Sequence, residues 1–180
     1  TVDTDGKGGT YTTANNTFTL TSGQVDTLKA RGIYVNIHSE TYGAGELRGQ
    51  LAPQADVVFR TNVSGTQEVP AAKTMASGAL ILELNGDSLF VSGSFNGLSS
   101  NYSASHLHTA MAGSAGGVAV TLNAAVAADN KSGVYLASEN RFELTTDQKT
   151  ALMNRGIYVN IHSENFASGE LRGQVTPPVT

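Results

Sequence analysis

His106 and His108 stand two positions apart in Ser105-His106-Leu107-His108. On a β-strand that spacing sends both imidazoles to one face, which is one way a β protein offers two nitrogens to a single metal ion. A third histidine, His162, closes the alternating run Ile157-Tyr158-Val159-Asn160-Ile161-His162, on a polar face that also carries Asn160. If these faces meet, His106, His108 and His162 can hold zinc or copper. A fourth position would then stay open or take a carboxylate from Glu164 or Glu170. The competing reading is structural: the imidazoles hydrogen-bond to backbone groups and fix loops. Glu170 with Arg172, or Glu68 with Arg172, then forms an ion pair that specifies geometry more than it stabilises.

The strand bearing His162 is one half of a repeat. Residues 31–50 return as residues 155–174 at an offset of 124, and only Thr41, Tyr42, Gly43 and Ala44 differ. Hydrophobic patterning alone would tolerate exchanges among Ile, Val and Leu. Here the polar positions Asn36, His38, Glu46 and Arg48 are repeated as well, as Asn160, His162, Glu170 and Arg172. His38 has no His-x-His partner in its own copy. Any metal ligands joining it would have to come from another chain or from residues 106–108.

Around these residues the chain reads as short strands and turns. Thr17–Leu20 and its counterpart Arg141–Leu144 alternate polar and apolar, as half-buried strands do. Thr21 or Ser22 can cap a helix of about two turns that ends at Gly32, and Thr145 to Gly156 repeats it. Strands follow at 33–38 and 46–51. Further strands are expected at 57–63, 77–84, 88–95 and 117–122, with Asn85-Gly86 marking a hairpin and Gly113 to Gly117 a Gly-rich turn. This pattern predicts an all-β, Greek-key-like antiparallel β-sandwich with one short helix per repeat.

Composition narrows the function classes. Cysteine is absent, which removes disulfides, thiolate metal sites and cysteine nucleophiles. A net charge of -4 without a basic stripe argues against nucleic acid as a partner. No apolar run is long enough to span a membrane. A chain low in charge and rich in Thr, Ser, Asn and Gly fits an extracellular or cell-surface location. Thr1, with no leader before it, reads as the start of a processed or excised piece. Neither a nucleophile elbow nor a phosphate loop is present, so the chain is expected not to be an enzyme. Redox chemistry at bound copper is the one catalytic form the residues leave open.

The chain resembles the CHRD (chordin) domain family. The resemblance rests on Ser64-Gly65-Thr66-Gln67-Glu68-Val69-Pro70, Ala76-Ser77-Gly78, His106-Leu107-His108, Ile157 to His162, and Gly169 to Gln174, in that order. It covers one complete domain, placed at 57–176, and the C-terminal half of another at 1–53, with a junction at 54–56 and a tail at 177–180. The family resemblance implies a β-sandwich module of secreted or cell-surface proteins, serving structure or interaction. Growth-factor binding, as in chordin, is not carried over, because the chain lacks chordin's cysteine-rich modules. The half-domain is expected to be trimmed from a longer protein, to be completed by strands of a protein partner or another copy, or to share one larger sandwich with the second repeat.

Overall fold

A computed structural model describes residues 1–52 and 54–177 and divides the chain into two compact units, 1–53 and 54–180. No helix among the described residues is long and apolar enough to cross a membrane.

The first unit holds a 3-10 turn at Thr13–Asn15, helix α1 (Ser22–Lys29) and the antiparallel hairpin β1 (Tyr34–Ile37) and β2 (Leu47–Gln50). Thr21 and Gln24 form a reciprocal capping box at the start of α1. The expected strand at Thr17–Leu20 is absent. Its counterpart, Arg141–Glu143, is a strand only because it lies against a neighbour in the second unit. An alternating sequence needs a ladder to become a strand, and the first unit supplies none at that position.

The second unit is all-β, built from β3 (Val57–Ser64), β4 (Ser77–Asn85), β5 (Ser88–Asn96), β6 (Tyr102–Thr109), β7 (Gly117–Thr121), β8 (Ala124–Val126), β9 (Gly133–Tyr135), β10 (Arg141–Glu143), β11 (Ile157–Ser163) and β12 (Phe166–Gln174), with α2 (Thr146–Met153) before β11. The strands run in the order β7-β6-β11-β12-β3-β4-β5-β9-β8, and β10 also pairs with β5. Neighbours distant in sequence, such as β6 with β11 and β12 with β3, are the crossovers of a Greek-key, sandwich-like arrangement. Their inner faces supply one core, including Phe59, Leu82, Val91, Phe95, Leu107, Val159, Ile161 and Leu171.

The β12–β3 junction joins the two halves of this curled sheet and has a single register pair, Arg172 opposite Ser64. Gly173 sits at the close approach. A β-carbon there would come within 2.5 Å of Thr61 Oγ1 and 2.6 Å of the Asn62 carbonyl oxygen. Gly173→Ala is therefore expected to lower stability by about 2 kcal/mol, the usual cost of forcing atoms into a packed site. Urea denaturation would measure it as a lower midpoint.

Candidate metal centre

The site lies on the face of β6, β11 and β12 opposite the core side chains. Register alone aligns its rows: His106 faces Asn160, which faces Arg172, and His108 faces Tyr158, which faces Gln174. β alternation thus gathers residues from both ends of the second unit.

The imidazoles of His106, His108 and His162 converge, with one ligand-capable nitrogen from each within 4.8 Å of the others. His106 Nδ1 lies 3.0 Å from His162 Nε2. Two nitrogens bound to one tetrahedral zinc, each at about 2.0–2.1 Å, would sit roughly 3.3 Å apart, so this spacing is close to that of a shared ion. Hydrogen bonds to backbone orient two of the rings. His108 Nδ1 donates to the Gly116 carbonyl at 2.9 Å, and His162 Nδ1 donates to the Ala167 carbonyl at 3.0 Å. Each bond fixes the proton on Nδ1 and turns the Nε2 lone pair toward the cluster. His106 Nδ1 then donates to His162 Nε2. His108 Nε2 is buried and has no hydrogen-bond partner.

The His108 ring is held flat against Tyr158, with centroids 5.0 Å apart and planes within 9°. On Tyr158 lies the Arg172 guanidinium, 3.6 Å from the ring centroid. Arg172 Nη2 also donates to the carbonyls of Ser114 (2.8 Å) and Met111 (3.2 Å), fastening the β6–β7 loop that carries Gly116. The Gly-rich Gly113–Gly117 turn therefore belongs to the site.

The expected Glu170–Arg172 ion pair does not form. Glu170 is fully buried, and its two oxygens accept from Thr74 Oγ1 (2.6 Å), Ser99 N (2.8 Å) and Ser163 Oγ (2.5 Å). Three uncharged donors satisfy the carboxylate, which leaves Arg172 to its aromatic and carbonyl partners. Neither Glu170 nor the exposed Glu164 belongs to the converging ligand group.

Glu68 takes a different place. Its Oε1 accepts from Asn160 Nδ2 at 2.8 Å. Gly169 makes this contact possible: it has φ +131, and a β-carbon there would fall 2.5 Å from Glu68 Oε1. Burial pushes the Glu68 carboxyl up to about 7, against the pull of Arg172 and the hydrogen bonds from Asn160 and the Val69 backbone. Because the folded value lies above the ordinary 4.5, Glu68 contributes stability that is complete below about 4.5 and lost as pH rises through about 7. Glu68→Gln should remove this decline, a difference of roughly 3 kcal/mol between those limits, read from urea midpoints across pH.

In the first unit, His38 is exposed and its Nδ1 bonds the Gly43 carbonyl at 2.9 Å, as His162 does with Ala167. Asn36 Nδ2 donates to Ala44 O at 3.1 Å. Arg48 lies 3.6 Å over Tyr34, and Glu46 is exposed. The CHRD domain model matches residues 1–51 and 59–175. The chain belongs to the CHRD domain family. Neither the curated proteins nor the solved structures gave a match to this chain. For this CHRD protein, sequence reasoning missed Gly116 and Ala167. They act through backbone carbonyls, and a carbonyl leaves no mark on residue type.

Proposed function

We propose that the complete CHRD unit binds one zinc or copper ion through His106, His108 and His162. The observation that carries this reading is the buried, unpartnered Nε2 of His108 facing two further imidazoles. A buried acceptor without a donor costs about 1–3 kcal/mol, and metal coordination would remove that cost. His108 Nε2, His162 Nε2 and His106 Nδ1 would be the ligands, with Gly116, Ala167 and Tyr158 setting their orientation. The role is binding, with copper redox chemistry as the only catalytic extension. Low charge, abundant Thr, Ser, Asn and Gly, and CHRD membership support a secreted or cell-surface interaction module.

Elemental analysis of protein purified without chelator tests the site, beside a His106→Ala/His108→Ala variant. The expected result is one equivalent of zinc or copper in the parent and at least a tenfold lower content in the variant. Equal content in both would rule out these ligands.

A further inference from the structure

We infer that residues 1–52 accept a second N-terminal CHRD half, a segment with the chemistry of residues 57–128, and that the two together build another three-imidazole site around His38. The His38 part rests on the metal-binding reading above; the acceptor part does not.

The acceptor is already in its covered form. β1 and β2 pair in the register of β11 and β12: Tyr34 opposite Gln50 and Asn36 opposite Arg48, as Tyr158 is opposite Gln174 and Asn160 opposite Arg172. Arg31 and Arg155 both adopt φ 60. Gln50 Nε2 donates to the carbonyls of Arg31 and Ile33, as Gln174 Nε2 does to those of Arg155 and Ile157. The same capping box opens both helices. Arg48 over Tyr34 and His38 on Gly43 repeat the supports of the complete site.

The cover differs. Val35, Ile37 and Leu47 are 41%, 37% and 61% exposed, whereas Val159, Ile161 and Leu171 are each 0% exposed. In the second unit β6 lies along β11 and β3 along β12. Within residues 1–52 the matching outer edges of β1 and β2 carry no strand. Thr17–Leu20 likewise lacks the β5-type partner that makes its counterpart Arg141–Glu143 a strand.

The equivalent interface in the same chain identifies the occupant. A β6-type strand beside β1 would bury Val35 and Ile37 and bring an His-x-His pair to His38. A β3-type strand beside β2 would cover Leu47. Residues 57–128 of this chain are already committed to β11 and β12. The occupant is therefore an additional N-terminal half.

The test compares the parent chain with one in which residues 54–128 are repeated immediately ahead of Asp5, restoring the spacing of the complete unit. A second form carries the added half after residue 177 on a flexible Gly/Ser linker, in case the first connectivity does not fold. Hydrogen exchange should show the amides of Val35, Ile37 and Leu47 protected to the level of Val159, Ile161 and Leu171. Zinc uptake should rise from one equivalent to two and return to one with His38→Ala. Unchanged exchange of residues 34–50 in both forms would overturn the acceptor. So would a parent chain whose dimer already protects these amides. Protection with unchanged zinc uptake would overturn the second metal site alone, and a parent that takes up no zinc would overturn the metal reading while protection still decides the acceptor.

Discussion

Replacing Glu170 by alanine is expected to lower the stability of the complete unit by roughly 4 kcal/mol, enough to unfold a domain of ordinary stability at modest denaturant concentration. The carboxylate joins three places far apart in sequence: Thr74 ahead of β4, Ser99 between β5 and β6, and Ser163 at the end of β11. Removing it orphans a backbone N–H and two hydroxyls. Each buried donor left unmade costs about 1–3 kcal/mol, and rotation of the hydroxyls recovers part of the sum. Glu170→Gln keeps the volume but turns one acceptor into a donor facing other donors, so a loss of about 2 kcal/mol is expected. The urea midpoints of the three proteins should rank in that order. Burial raises the Glu170 carboxyl, but the combined hydrogen bonds from Ser163, Thr74 and Ser99 outweigh it and hold the group below its usual range. With the folded value depressed, this stabilisation is present above about 4.5 and is lost as pH falls through the folded value. The glutamine variant should therefore lose less stability than the parent when acidified below that point.

Glu170 also marks where sequence reading stops. Charge sign points it to Arg172, two residues away, whereas its actual partners are neutral groups brought in by tertiary folding. The convergence of His106, His108 and His162 was legible because strand alternation fixes the face of every second residue, and the repeat showed which strand mattered. The Asn85-Gly86 hairpin was legible from turn chemistry, and β4 and β5 pair across it from Ser77–Asn96 to Asn85–Ser88. β8 and β9 escaped notice, since Ala124–Val126 has no alternation and becomes a strand only beside β9. The carbonyls of Gly43 and Ala167 lie in the one stretch of residues 31–50 and 155–174 where the two copies diverge. Their work is done by backbone, so the side chains are free to vary. Thr17–Leu20 shows the converse: local alternation was correct, but no neighbouring strand supports it.

Zinc should stabilise the complete unit by about 4 kcal/mol when free metal exceeds its dissociation constant a thousandfold, and His108→Ala should abolish the gain. The effect follows from topology. His162 meets the His106/His108 pair only when β11 lies against β6, so the unfolded chain keeps at most two of the three ligands together. Coordination also requires neutral imidazoles. His106 is held below its ordinary 6.5 by burial and then by His108; His162 is lowered by burial, with His106 and His108 adding to it and the Ala167 hydrogen bond opposing. Both rings therefore stay neutral where a free imidazole would be half protonated. The zinc gain should persist near pH 6.5 and fade on further acidification. Without metal, the same depressed values give stability that is present above about 6.5 and lost as pH falls through the folded values. Glu68 acts in the opposite direction across an overlapping range, so the cleanest comparison uses the Glu68→Gln background. There the difference between urea midpoints with and without zinc should rise from about pH 5 to about pH 7. An equal zinc gain at both values would mean that groups other than these three imidazoles hold the ion.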